Sequence, residues 1–313
     1  MLSVEELKEC LVFAKDYREI KIPKKNGGYR TILIPSPELK RIQGKILRFL
    51  KKMYILRDSS VFGLRNGSYV DHARFHSDSR WIFAFDLKDA FPSVSIERVR
   101  PFLIKALREE MFSPNQVWPM GKAEELASLI SELTTFKGTL PQGAPTSPFL
   151  FFLAIEETKL VTKLFYASRP LKISCYVDGF VISGPHPPNA KIKEKIFKCI
   201  EGAGFEANLK KTRQFDCRQG TPLICGIRVD GKGKISLPKK TIRKWRGLIH
   251  QAACISDPDI KKHLAQKIRG FIGALKPIYK DKLPPQIAKP YDLFINSLKE
   301  LPGEKQTRLT NWM

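Results

Sequence analysis

In residues 173–183, ISCYVDGFVIS, two apolar runs of strand length flank an Asp-Gly pair. Asp-Gly between alternating apolar residues is a strong hairpin signal, because both residues of a tight two-residue turn then accept positive φ. Residues 81–87, WIFAFDL, are a second continuous apolar run. They are too few for a helix and are best placed in the middle of a buried sheet. A chain holding both features builds a sheet that helices must cover, which is an α+β core.

Each feature also carries one acid at its end. Asp86 closes the buried strand and Asp178 stands at the hairpin tip. Alone, Asp86 reads as a strand-end cap for the next helix, and Asp178 reads as a turn residue. If the strands are neighbours, both carboxylates share one edge. A carboxylate among apolar neighbours needs a partner or a metal to stay charged. Two such acids can hold a pair of Mg²⁺ ions about 3.5–4 Å apart, an arrangement that activates a hydroxyl and stabilises a leaving pyrophosphate. Mg²⁺ suits so sparse a site, because it takes one or two protein carboxylates and fills its octahedron with water and phosphate.

Charge narrows the partner. The 313 residues hold 55 Lys and Arg against 31 Asp and Glu, a formal net charge of +24. Such a balance suits a polyanion, since each neutralised phosphate releases condensed counterions. A membrane is disfavoured, because the longest apolar run, FLFFLAI at 149–155, is too short to span a bilayer. MLSVEELKEC at the start lacks a basic and then apolar leader, so no secretory signal is expected. Six cysteines, at 10, 175, 199, 217, 225 and 254, form no CxxC pair. That argues against a zinc ribbon or a disulfide framework and suits reduced thiols in a cytoplasm.

Along the chain, helical spacing over 3–18 begins with a capping box of Ser3 and Glu6. Residues 21–37 read as a basic hairpin turning at Asn-Gly-Gly, and 37–56 as a basic amphipathic helix. Further helices are expected after a cap near Ser95, over 122–136, from Ser147-Pro148 onward, and over 189–203. LICGIRVD at 223–230 is expected to continue the sheet, and GKGK after Asp230 to form a flexible junction. Basic helical segments follow at 238–254 and 258–280.

Several of these stretches, in order, resemble the motifs of bacterial reverse transcriptases over about the first 230 residues. FAFDLKDAFPSVS is similar to the first catalytic motif, LPQGAPTSP to the nucleotide-pocket loop, and YVDG to the Tyr-x-Asp-Asp turn. GFEANLKKT and ICGIRV stand where the next two palm motifs belong. The resemblance implies a right-hand polymerase fold. Its N-terminal helix and fingers would take residues 1–80, its palm 81–105 and 138–230, a helical insertion 106–137, and a basic helical thumb 231–313.

It also implies roles for single residues. Asp86 and Asp178 would bind two Mg²⁺, with Mn²⁺ as an alternative, and serve catalysis with Lys211, which would give a proton to pyrophosphate. Lys210 is its competitor for that role. Arg30 would grip the triphosphate of an incoming dNTP through its planar fork, with Lys25 as a further charge or as part of a solvated face. Phe91 would exclude a ribose 2′-OH, or serve as a core aromatic, or do both. Gln142 would reach the sugar and Gly143 would let the backbone approach the nucleotide. Lys239, Lys240, Arg243, Lys244 and Arg246 would track a nucleic-acid backbone. In place of the second aspartate this chain has Gly179.

Among reverse transcriptases, KKNGGYRTILIPSPELKRIQ looks most like the retron type, whose members make a short DNA from their own structured noncoding RNA. HARFH at 72–76 keeps Ala73 and His76 of the retron Asn-Ala-x-x-His signature, and ICG at 224–226 keeps only the glycine of Val-Thr-Gly. Partners implied are that RNA, its RNA–DNA product and an effector or toxin protein in phage defence. A second class of function also fits, a weakened relative that binds RNA or DNA as a subunit of a larger defence assembly.

Overall fold

The run 81–87 lies inside a five-stranded sheet with the hairpin 173–183 beside it. The computed structural model describes residues 3–24, 27–53, 61–63, 67–108, 118–280 and 282–299. The chain divides into two compact units, Met1–His72 with Trp81–Asp216, and Ala73–Arg80 with Cys217–Met313.

The first unit opens with α1 (Val4–Glu9), whose N-terminus carries the expected capping box between Ser3 and Glu6. The helix expected over 3–18 ends early, in a short 3-10 segment (Cys10–Phe13), and Tyr17 starts a strand. Glu19 to Ile22 alternate polar and apolar with period two, which suits a strand and would scatter over a helix. That strand, β1 (Tyr17–Pro23), pairs antiparallel with β2 (Tyr29–Pro35). Then come α2 (Pro37–Met53), β3 (Val61–Phe62), α3 (Tyr69–Phe75), β4 (Trp81–Asp86), α4 (Ile96–Arg108) and α5 (Met120–Thr134). The unit is completed by α6 (Ser147–Glu157), α7 (Leu160–Ser168), β5 (Lys172–Tyr176), β6 (Gly179–Gly184), α8 (Ala190–Gly202) and β7 (Arg213–Asp216).

The sheet order is β3-β5-β6-β4-β7. β5, β6, β4 and β7 are antiparallel, and β3 adds to the β5 edge in parallel. Phe85 of β4 and Phe180 of β6 stack across the sheet, with centroids 5.3 Å apart and planes 4° from parallel. Against this layer lies α6, whose residues 149–155 are all buried. A helix apolar on every side has no face to offer water and must pass through the core. The helical run from Ser147 breaks at Lys159, which adopts left-handed φ 53, so α7 starts a new direction. The cap position before α6 is Thr146; the Ser147 hydroxyl instead donates to the Pro141 carbonyl at 2.7 Å.

In the second unit, 223–230 does not extend the large sheet. It forms β8 (Leu223–Ile224) and β9 (Ile227–Val229), which join β10 (Ile235–Ser236) in a separate three-stranded sheet. Cys225 and Gly226, at φ 49 and 81, make a tight turn that folds the segment on itself. GKGK is not a slack junction. The Asp230 carboxylate accepts from the N–H groups of Lys232 (2.8 Å) and Lys234 (3.0 Å), and the Gly233 N–H donates to the Ser77 carbonyl. Gly231, at φ 74, packs so closely that a Cβ would come within 2.6 Å of Cys217.

Three helices follow: α9 (Lys239–Cys254), α10 (Pro258–Tyr279), capped by Asp257, and α11 (Pro285–Lys299). The first two match expectation; the third does not figure in the sequence reading. Trp245 of α9 stacks on Phe271 of α10 at 4.2 Å, within a core that includes Ile249, Ile268, Ile287 and Phe294.

Phe180 is fully buried in the core shared by the five-stranded sheet and its covering helices. Replacing it with alanine should cost about 3–5 kcal/mol of stability, as large-to-small core changes do. A urea titration of Phe180→Ala against the parent chain measures this, and a loss under about 1 kcal/mol contradicts the packing described.

Candidate active site

Strand pairing puts Asp86 directly opposite Gly179, with Tyr176 on Gly179's other side. The loop of the hairpin is therefore Val177-Asp178, not Asp178-Gly179. Positive φ falls on Val177, at 56, and Gly179 is already strand. A β-branched residue in that region is a steric outlier, and such conformations cost on the order of 1–3 kcal/mol. The surroundings hold it there. The Leu87 N–H donates to the Asp178 carbonyl at 3.0 Å, and the Asn208 N–H to the Asp86 carbonyl at 2.8 Å. Beneath the turn, the Tyr176 ring rests on Gly63, where a Cβ would sit 2.6 Å from the ring. His72 stacks on its other side at 5.9 Å with an 18° tilt.

Electrostatics tie four side chains to this edge. The Lys211 Nζ lies 3.0 Å from Asp86 Oδ2. Burial pushes the Asp178 carboxyl above its ordinary range, and the Asp86 charge adds to that; its own backbone amide, Lys211 and Arg30 oppose it. The Asp178 carboxyl thus feels Asp86, Lys211 and Arg30, although the four come from different elements or turns. Among the described residues no group of three or more His, Cys, Asp or Glu is arranged to hold a metal. The donor set is two carboxylates of net charge −2, which fits Mg²⁺ better than a thiolate or imidazole metal. Gly179 leaves the third place open: a Cβ there would be 3.4 Å from Asp86 Oδ1, an ordinary contact.

The pocket loop meets the β1–β2 hairpin directly. The Leu33 N–H donates to the Gln142 carbonyl at 2.8 Å. Gly143 has φ 129, and its Cβ would lie 2.6 Å from the Leu33 carbonyl oxygen. Close approach of strand β2 therefore already requires glycine at 143. Arg30 is exposed on that strand, while Lys25 lies outside the described residues. Phe91 is half-buried, edge-on to Phe151 at 5.6 Å and 63°, so it anchors the corner after β4 as well as facing solvent. Lys210 pairs with neither acid in any described contact, whereas Lys211 does.

In the second unit Lys239, Lys240, Arg243, Lys244 and Arg246 are all exposed on α9, while Ile242, Trp245 and Ile249 face the helical core. In the HARFH stretch, His72, Ala73 and His76 are buried, so they pack and do not reach outward. Burial pushes the His72 imidazole down to about 4, which keeps it neutral. Sequence reasoning did not find the Gly63–Tyr176–His72 brace; Tyr176 beside the turn was its one visible sign.

The sequence profile of the family "Reverse transcriptase (RNA-dependent DNA polymerase)" matches residues 22–256. Among characterised proteins, the retron Ec86 reverse transcriptase of Escherichia coli is 26% identical over 282 residues, which is 87% of this chain and 80% of that protein. The retron Mx162 reverse transcriptase of Myxococcus xanthus is 28% identical over 259 residues, 76% of this chain, and the chain spans only 53% of its length. Solved telomerases of Candida albicans and Candida tropicalis align at 12% and 13% identity with TM-scores of 0.49 and 0.47. Those alignments cover 95% and 94% of this chain and 62% of each telomerase.

The raised carboxyl of Asp178 has a pH signature. The native state binds its proton at higher pH than the unfolded chain, whose carboxyl titrates near 3.8. Stability from this group is full below 3.8 and is lost as pH rises through the raised value. In metal-free buffer, Asp178→Asn should therefore melt higher than the parent at neutral pH, and the gap should close as pH falls below the carboxylate range. Melting temperatures measured across pH test this; a gap independent of pH refutes it.

Proposed function

Because the chain belongs to the reverse transcriptase (RNA-dependent DNA polymerase) family, with the right-hand α+β fold and similarity to bacterial retron enzymes, we propose that it copies RNA into DNA at Asp86 and Asp178. The observation that carries this reading is the convergence of Asp86, Asp178, Lys211 and Arg30 on one sheet edge. In the reaction a primer hydroxyl loses its proton to solvent and attacks the α-phosphorus of a dNTP, the bond from that phosphorus to the bridging oxygen breaks, and pyrophosphate leaves. Two divalent cations, Mg²⁺ or Mn²⁺, held by Asp86 and Asp178 would supply activation of the hydroxyl and neutralisation of the leaving charge.

The chain's own residues do the rest. Arg30 holds the triphosphate through paired N–H donors. Lys211, already oriented on Asp86, gives a proton to the departing pyrophosphate. Gln142 contacts the sugar, and Phe91 closes the space a 2′-OH would need. In this reading the β1–β2 hairpin and neighbouring helices are fingers, the large sheet is palm, and the C-terminal helices are thumb. The exposed cations of α9 run along the phosphates of an RNA–DNA duplex. The template would be a structured noncoding RNA of a retron, with an effector protein as its partner in phage defence.

One observation favours a second reading. Gly179 leaves two carboxylates at a position where a Cβ would make only ordinary contacts. Fewer ligands weaken cation binding, and the chain would then act chiefly as an RNA- or DNA-binding subunit.

Extension of a primed RNA template by labelled dNTPs separates the two. We expect product with Mg²⁺ or Mn²⁺, none with Asp86→Asn, and faster extension with Gly179→Asp. Mg²⁺ should also raise the melting temperature of the parent but not of Asp86→Asn, by binding linkage. No product in either metal, together with tight RNA binding, supports the binding-subunit reading. Phe91→Ala should admit ribonucleotides; unchanged sugar selection in competition assays removes the gate role.

A further inference from the structure

The helix α7 breaks the rule that apolar side chains face inward. Val161, Leu164 and Ser168 form its buried stripe, at helical spacing. The opposite stripe, Thr162, Phe165, Tyr166 and Arg169, is exposed and has the same spacing. Phe165 is 39% and Tyr166 64% exposed, so two aromatic rings stand in water where a solvated helix carries polar residues. The rings meet edge-to-face at 5.6 Å. The Arg169 guanidinium lies over both, 4.7 Å from Phe165 and 5.0 Å from Tyr166. Lys159 and Lys163 flank the stripe and are exposed. From Lys159 to Tyr176 there is no acidic residue.

We infer that this face of α7 is a binding platform for single-stranded nucleic acid, separate from the polymerase centre. The chemistry is stacking of unpaired bases on Phe165 and Tyr166, with phosphates neutralised by Arg169 and Lys163. Every base has a π-face, so such a platform holds a strand without reading its sequence. Exposed Tyr and Arg would also suit a protein partner, but the packed neighbour α8 brings Lys191, Lys193, Lys195 and Lys198 against Glu194 and Glu201, and with Lys159, Lys163 and Arg169 this excess of cations on a chain of net charge +24 complements phosphate. The platform does not belong to the catalytic edge. It lies at the start of β5, and five residues of extended chain, about 15 Å, separate Lys172 from the turn that carries Asp178. A structured RNA whose template strand occupies the catalytic edge has other unpaired segments, and this face would hold one of them.

The experiment uses the full chain with its polymerase centre saturated by a short primed duplex. Labelled single-stranded oligomers, one RNA and one DNA, are then titrated in. The parent should bind, and the double variant Phe165→Ala, Tyr166→Ala should lose about tenfold or more in affinity, as removal of base–aromatic stacking does. Tyr166→Phe, which keeps the ring, should retain binding. Extension of the short primed duplex should be the same in all three. An RNA oligomer carrying 5-bromouridine should crosslink on irradiation to Phe165 or Tyr166, located by peptide mass spectrometry. Equal affinity in the parent and the alanine variant, or crosslinks that avoid α7, overturns the proposal. Loss of extension along with binding would place the effect in the polymerase centre and would also overturn it. Equal binding of RNA and DNA assigns the site to either strand; preference for one names it.

Discussion

A carboxylate drawn out of water beside another acid is the constraint that the catalytic edge of the first unit must answer. Burial, joined by the nearby Asp86 charge, makes the ionised form of Asp178 costly. The fold answers with cations, Lys211 on Asp86 and Arg30 in the field of Asp178. It answers also with rigid backbone, through the Leu87 and Asn208 amides that tie both acids' carbonyls into the sheet. A strained Val177 persists because stacked phenylalanines below and the Tyr176 brace beside it leave the turn no other course.

The main sheet was legible because its strands differ so sharply from their surroundings. WIFAFD and the hairpin runs are apolar and short, and no other element explains them. The family's motifs gave the order of the elements and the right-hand class. Local competition was less legible. The helical expectation over 3–18 runs past Cys10 to Phe13 and into Tyr17 and Arg18, which pairing with β2 claims for a strand, and that pairing is not contained in the helical spacing. In the hairpin, glycine drew the positive φ to position 179 on paper. In the chain the register with β4 fixes Gly179 as strand and passes the strain to Val177.

The same tension appears at 223–234. Apolar content marked strands correctly but could not say which sheet they join, because a two-residue turn at Cys225-Gly226 pairs them with each other first. Asp230 then converts a glycine-lysine run into an ordered turn through two backbone hydrogen bonds, a contribution of one side chain that composition hides. Asp86, Asp178, Lys211 and Arg30 were named from motifs and are brought to one edge. Gly63 was invisible, and His72, though part of the HARFH stretch, gave no sign of its contact, because both touch Tyr176 across about a hundred residues of sequence.

The bond between Leu33 and Gln142, with Gly143 wedged under the same strand, makes the hairpin and the loop mechanically one piece. Any swing of the hairpin drags the loop along, since no side chain larger than hydrogen leaves slack at that joint. Arg30 and Gln142 therefore sit on two segments whose spacing is set by one backbone bond and one glycine contact, so neither can shift without the other.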